Sequence, residues 1–342
     1  MIVHSFPDRT ILHEGKAYLY FGGTAYLGLQ TNKEFQEILA QSLLTWGTAY
    51  GSSRNANIKL SIYETFEKHF SKYINAECAL ALSSGTLAGK LVIDYLSKTH
   101  TQFYHYPKSH PAILAQNSKP LFENNALNSN LTNAVEEDVV IVLDAILSSE
   151  VKPTSLEFLN TIASTKKITL VVDESHSMGI VGNHGEGIFS TIETKKVYRK
   201  IMITSLSKAM GLSLGVVASN TDFIEQLKNE PSFISASGAN PAYLEVFLKS
   251  QDVLDNQRQK LRGLLRYLNE QLIVKESIQF NSNYPVLYTT NQELYDILLK
   301  ENIIIARFKY PTYSTYMNRI VITANHKISD LDRLINVLNT HA

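Results

Sequence analysis

Five short apolar runs rich in β-branched residues recur along the chain: Ala79 to Leu82, Val139 to Leu143, Ile168 to Val172, Ile201 to Ile203 and Leu214 to Ala218. None alternates with polar residues, so each reads as a strand buried on both faces, in a sheet covered by helices on either side. Four of the five lead directly into small or charged polar residues: Ser83-Ser84-Gly85-Thr86, Asp144, Asp173 and Thr204-Ser205. In open α/β sheets ligands bind in the crevice outside the carboxyl ends of the strands. These residues, far apart in sequence, are therefore expected to converge on one site of an α/β fold.

The rest of the chain supplies covering layers. Thr31 to Glu34 matches a capping box, after which Phe35, Ile38, Leu39, Leu43 and Trp46 recur along one helical face. Asn240-Pro241 pairs a good N-cap with a first-turn proline, and a helical pattern continues to about Leu272. Strand-like runs at Pro285 to Tyr288, Ile303 to Ala306 and Arg319 to Thr323 then precede a helix carrying Leu331, Leu334, Ile335 and Leu338 on one face. The expected organisation is an N-terminal segment over 1–45, a large domain with a mostly parallel sheet over 46–240, and a linking helix with a small C-terminal α+β domain over 241–342.

Charge narrows the function. Lys+Arg and Asp+Glu balance at 32 each, so no global field recruits nucleic acid or an anionic membrane, and small-molecule chemistry is the better expectation. The single cysteine, Cys78, excludes a disulfide framework within the chain and a cysteine-based metal cluster. The start, MIVHSFPDRT, has no basic region followed by an apolar stretch, and no apolar run is long enough for a membrane span. A cytoplasmic protein is expected.

The most specific chemical segment is Ile203-Thr-Ser-Leu-Ser-Lys-Ala-Met-Gly211, where Lys208 follows an apolar strand among small hydroxyl residues. A partly desolvated amine has a lowered pKa and becomes nucleophilic enough to form an imine. Taken alone, Lys208 equally fits a side chain snorkelling from a strand end. Val171-Val-Asp-Glu-Ser-His-Ser-Met-Gly179 puts Asp173 at a strand end, where a buried carboxylate needs a cation, and His176 in the turn beyond. Each alone also reads as an ordinary cap or surface imidazole. The small-residue turn Ser83-Ser-Gly-Thr-Leu-Ala-Gly89 exposes backbone N–H groups at a helix start, which suits a phosphate, although such turns are common without one.

Asp173 with His176 three residues later, then Gly-rich sequence, a strand and Lys208, is similar to the α-oxoamine synthase family. Tyr26-Leu-Gly-Leu29 and Tyr50-Gly-Ser-Ser-Arg-Asn extend the resemblance toward the N-terminus. Members of that family have the fold-type I pyridoxal-phosphate-dependent transferase architecture and condense an amino acid with an acyl-CoA. The resemblance implies that Lys208 holds the cofactor as a Schiff base, Asp173 pairs with the pyridine nitrogen and His176 bonds the phenolic oxygen. It further implies that Gly85, Thr86 and Ser205 contact the phosphate, His110 stacks on the ring and Ser148 lies near the phenolic oxygen. Arg319 matches the arginine that holds the substrate carboxylate. Ser235 or Ser237 matches a hydroxyl that reaches the phosphate of a neighbouring subunit, which implies a homodimer. Thr24-Ala25 departs from the pattern, standing where the family has Asn-Asp beside the substrate, and the chain is shortened around 115 to 140 and in its C-terminal part. A simple aminotransferase, or a catalytically idle binding module on the same fold, is the rival expectation.

Overall fold

The computed structural model describes residues 1–193, 195–273, 276–309 and 316–341. The chain opens with a hairpin of β1 (Thr10–His13) and β2 (Lys16–Phe21), followed by helices α1 (Lys33–Trp46) and α2 (Ser61–Tyr73). Then come β3 (Cys78–Leu82), α3 (Gly85–Leu96), β4 (Gln102–His105) and β5 (Lys119–Pro120). A short hairpin of β6 (Phe122–Glu123) and β7 (Ala126–Leu127) and the single turn α4 (Ser129–Thr132) precede β8 (Glu137–Asp144), β9 (Lys166–Asp173), β10 (Arg199–Ser205) and β11 (Gly215–Ser219). Helices α5 (Thr221–Lys228), α6 (Pro231–Ser235), α7 (Pro241–Lys249) and α8 (Gln251–Gln271) lead to β12 (Ile278–Phe280) and β13 (Val286–Thr289). The chain closes with α9 (Leu294–Lys300), β14 (Ile303–Phe308), β15 (Met317–Val321) and α10 (Ile328–His341).

All five apolar runs become strands of one seven-stranded sheet, ordered β3-β11-β10-β9-β8-β4-β5. The strands from β5 to β10 run parallel, and β11 is antiparallel to both β10 and β3. That reversal explains why the fifth run leads into no site residue: its carboxyl end points away from the others. Its first residue, Gly215, packs instead against the turn after β3, where a Cβ would come within 2.2 Å of the Ser84 carbonyl oxygen.

Successive residues of the central strands face opposite sides of the sheet. Val140, Val142, Val171, Ile201 and Ile203 pack with Leu91, Val92, Phe223 and Leu227 from α3 and α5. Val139, Ile141, Leu143, Leu170, Val172 and Met202 join the larger core with Phe66, Phe70 and Phe247 from α2 and α7. Each such side chain contributes ~1.5–3 kcal/mol on full burial, which is why these strands read as unbroken apolar runs. A second sheet of six strands, β1-β2-β14-β15-β13-β12, unites the two ends of the chain, because β2 pairs in parallel with β14.

Two local expectations are corrected. Thr31 does not cap α1: its hydroxyl donates to Asp8 at 2.8 Å, and Asn32 takes the cap position by accepting from the Phe35 N–H at 3.0 Å. The long helix expected from Asn240-Pro241 to Leu272 is two helices, broken at the buried Ser250, whose φ of −106° and ψ of 19° are not helical. The cap itself holds, since the Asn240 side chain accepts from the Ala242 N–H.

Candidate active site

The carboxyl ends of β8, β9 and β10, with the amino end of α3, surround a cavity of about 260 Å³. Its lining includes Gly85, Thr86, His110, Ser148, Asp173, His176, Ser205 and Lys208, eight of the residues singled out in the sequence. Distance in the chain is removed by parallel register: Asp144 and Asp173 are direct partners across β8 and β9, and Ile203 pairs with Asp173 across β10.

Lys208 projects from the tight connection between β10 and β11. Leu206, Ala209 and Met210 are buried and anchor that connection, and Gly211 takes a positive φ of 67° at its turn. Gln30 holds it from outside by donating to the Lys208 carbonyl at 3.0 Å. Burial pushes the Lys208 amine below its ordinary value, opposed by the charges of Asp173 and Asp144, while Arg319 lowers it further. Asp173 accepts the Ser175 N–H at 2.8 Å, which fixes its carboxylate at the strand end.

His176 lies where the chain leaves β9. Its Nδ1 is 3.0 Å from the Tyr26 hydroxyl, and its carbonyl accepts from the Tyr284 hydroxyl at 3.4 Å. Burial holds the imidazole well below its ordinary pKa, and the positive charges of Lys208 and Arg319 reinforce this, so the ring is neutral near pH 7. His110 is exposed and lies in the loop after β4. Its N–H donates to Asp144 at 2.9 Å, and its ring Nδ1 accepts from the Ala112 N–H at 3.2 Å. Ser148 is held by its carbonyl, which accepts from the Tyr288 hydroxyl.

The other end of the cavity is built for an anion. The Ser84 side chain caps α3 by accepting from the Leu87 N–H at 3.1 Å, which leaves the N–H groups of the first turn directed outward. Ser205 and Ser207 bring their hydroxyls to 2.8 Å from each other. Gly85 is required by this closeness, since a Cβ there would meet the Ser205 Cβ at 2.5 Å.

Arg319 lies on β15, outside the cavity lining but close enough for its charge to act on Lys208 and His176. It is buried, donates to the Gly23 carbonyl at 3.2 Å and sits 4.9 Å from the Phe308 ring centroid, with its Nε unpartnered among the described residues. Thr24 is therefore adjacent to the backbone that Arg319 grips. Ser235 and Ser237 do not meet their own chain's cavity: both are exposed, and the Ser235 hydroxyl donates to the Pro231 carbonyl within α6. Asp144, Tyr26 and Tyr284 were not assigned roles from sequence. Asp144 ends its strand as Asp173 does, which was the available signal; the tyrosines gave none.

A larger cavity of about 660 Å³ lies between α8 and the loops after β8 and β9. It contains Arg258, Arg262 and Arg266 but no carboxylate, lysine or histidine, and none of the residues expected at the site. Chemistry therefore places the site in the smaller cavity.

Comparison with known proteins agrees with this geometry. The model of the family "Aminotransferase class I and II" matches residues 18–338. The 8-amino-7-oxononanoate synthase of Aromatoleum aromaticum is 27% identical over 346 residues, covering 95% of this chain and 89% of that protein. Among solved structures, Sphingomonas wittichii serine palmitoyltransferase superposes with a TM-score of 0.80 at 17% identity, covering 97% of this chain and 89% of that one. The 8-amino-7-oxononanoate synthase of Francisella tularensis gives 0.73 at 21% identity, covering 94% and 97%. The fold is thus that of the fold-type I pyridoxal-phosphate enzymes. The donor set fits the cofactor: an amine for its aldehyde, a carboxylate for its ring nitrogen, and a helix start with paired hydroxyls, tightened by Gly85, for its phosphate. The sequence match across nearly the whole chain, the sheet order and this cavity lead to one assignment: the chain belongs to the class I and II aminotransferase family.

Proposed function

We propose that the chain catalyses the decarboxylative condensation of an amino acid with an acyl thioester, with L-alanine and a pimeloyl thioester as the pair that yields 8-amino-7-oxononanoate for biotin synthesis. The observation that carries the reading is the desolvated Lys208 amine facing Asp173 across the same cavity whose far end is an anion cradle. The relative from Aromatoleum aromaticum supports the choice of substrates.

Gly85, Thr86 and Ser205 would hold the phosphate, His110 would cover the ring, Asp173 would pair with its nitrogen, and His176 with Ser148 would meet the phenolic oxygen. Bound pyridoxal phosphate supplies an electron sink for charge developing at the amino acid Cα. Arg319 fixes the substrate carboxylate with a guanidinium fork, beside Thr24. Lys208, once its amine is free, takes the Cα proton and holds it. The Cα–acyl carbon bond then forms as the thioester C–S bond breaks and the thiol leaves as its thiolate, which takes a proton from solvent; the original carboxylate departs as CO₂, and the proton held by Lys208 returns to Cα in its place. Ser235 or Ser237 serves the phosphate of a neighbouring subunit in a homodimer. Among the described residues no helix is long and apolar enough to cross a membrane; the proposed place of work is the cytoplasm.

A panel of Gly, Ala and Ser against short, medium and long acyl-CoA, read by thiol release, tests the proposal. Release confined to alanine with pimeloyl-CoA is the expected result. Release with serine and a long chain would replace it with the serine palmitoyltransferase reaction, the activity named for the Sphingomonas wittichii structure. Release with glycine and acetyl-CoA would point to glycine C-acetyltransferase. Amino-group transfer without thiol release would make the chain an aminotransferase, and absence of any turnover with an intact fold a binding module.

A further inference from the structure

Asp144 ends β8 in register with Asp173 at the end of β9, and both line the cofactor cavity. Neighbouring parallel strands lie about 4.8 Å apart, so two carboxyls face the same space. Both interact with the charge of Lys208. Asp144 is buried, with 5% of its surface exposed. Its Oδ2 accepts the His110 N–H at 2.9 Å, and Ser109 adjoins it from the same loop.

We propose that Asp144 is a positioning residue that works in its neutral, protonated form, fixing the His110 backbone against the end of β8 and leaving Asp173 as the one carboxylate that faces Lys208 and the ring nitrogen. Two carboxylates this close repel, and one keeps its proton unless each has its own cation. Asp173 lies one strand nearer to the Lys208 loop than Asp144 does. Burial first, then Asp173, pushes the Asp144 carboxyl up to about 8, against the pull of the His110 N–H, Lys208 and Ser109. This bond joins the His110 backbone to the end of β8, so the residue expected to cover the ring leans on the Asp144 acceptor. The groups facing Asp144 are Asp173 from β9, Lys208 from the connection after β10, and His110 and Ser109 from the loop after β4.

This inference rests on pyridoxal phosphate as the cofactor, and not on the identity of the amino acid or thioester. Asp144→Asn keeps an acceptor for the His110 N–H and mimics the neutral acid; Asp144→Ala removes the acceptor. The dissociation constant for pyridoxal phosphate is measured by absorbance titration of the full-length protein at pH 6.5 and pH 9. At the lower pH the Asn variant should bind within about threefold of wild type, while the Ala variant should bind about tenfold more weakly, the scale of one buried hydrogen bond. Between the two pH values wild-type affinity should change more than that of the Asn variant, because both retain the titration of Lys208 and only wild type adds that of Asp144. The proposal is overturned if Asn binds as weakly as Ala, if Ala binds like wild type, or if the Asn variant keeps the wild-type pH response. Should the Ala variant not fold, the Asn variant decides alone: affinity within threefold supports the neutral role, and a tenfold loss overturns it. A wild-type protein that forms no imine band would instead overturn the cofactor reading itself.

Discussion

The Tyr26 hydroxyl lies 3.0 Å from Nδ1 of His176. Tyr284 in turn hydrogen-bonds Tyr26 and has its own pKa raised well above the ordinary value, chiefly by burial. Where the Tyr26 O–H donates to Nδ1, the imidazole proton lies on Nε2, and in either tautomer this bond fixes the plane of the ring. Tyr26→Phe retains the shape and removes the orienting bond. It should lower kcat/KM by about 3- to 10-fold, the worth of one hydrogen bond, with a change in melting temperature of only a few degrees. Steady-state kinetics and a melting curve on one preparation check this; unchanged kinetics would mean that packing alone orients His176.

Lys208 is the proposed imine-forming residue, and its lowered pKa sets a pH dependence. The neutral amine is the form that attacks an aldehyde, and burial makes it available below the ordinary value of 10.5. Imine formation with pyridoxal phosphate should therefore proceed at a lower pH than with a free lysine side chain. Lys208→Ala should abolish the imine absorbance band altogether. A band that persists in that variant would remove Lys208 from its assigned role.

The strand runs were legible because burial on both faces leaves no room for polar alternation, and the polar residues after Leu82, Leu143, Val172 and Ile203 were legible because ligands gather at strand carboxyl ends. The pairing of Asp144 with Asp173 was not legible, because it needs the order of strands that are separated by loops. Thr31 failed as a cap because its hydroxyl is taken by Asp8, a contact that no local pattern encodes. The role of Tyr26 was hidden for the same reason: its partner is 150 residues away. Tertiary partners, not local propensity, decided each of these positions.

Glu174, next to Asp173, is fully buried and accepts from the Ile188 N–H at 2.8 Å and from the Ser177 hydroxyl. Burial raises it from 4.5 to about 7. Asp144 is raised in the same direction, from 3.8 to about 8. For an acid whose folded-state pKa lies above its unfolded value, the unfolded chain binds fewer protons in the interval between the two. Stability then falls as pH rises through that interval. The cofactor-free protein should lose stability between about pH 5 and pH 8. Denaturant melts across that range should show the slope, and Asp144→Asn should flatten its upper part.

Gly85 offers a test of the anion cradle that leaves the lysine untouched. A Cβ at this position meets the Ser205 Cβ at 2.5 Å and the Ser205 Cα at 3.0 Å, so either α3 or the end of β10 must move. Gly85→Ala should weaken pyridoxal phosphate binding by about tenfold or more while the imine band still forms at saturation, since overpacking costs ~1–3 kcal/mol. Pyridoxal, which lacks the phosphate, should be affected far less than pyridoxal phosphate. Equal losses for the two compounds would show that the substitution disturbs the whole cavity and would separate Gly85 from phosphate binding.

The Arg54–Glu67 pair ties the Tyr50–Asn55 loop to the strand that leads into that cradle. Their N–O distance is 2.7 Å with both side chains about nine-tenths buried, and Arg54 also donates to the Ala81 carbonyl while Glu67 accepts the Ala81 N–H. The guanidinium lies 4.1 Å from the Tyr63 ring centroid, which adds a cation–π contact. Removing one member leaves the other charge buried without its partner, so Arg54→Ala or Glu67→Ala should each cost ~3–5 kcal/mol. The double replacement Arg54→Met with Glu67→Leu should recover part of that loss, because it removes both desolvation costs together. Additive losses in urea melts of the single and double variants would show that the two side chains act independently, and that the loop is held by its backbone contacts instead.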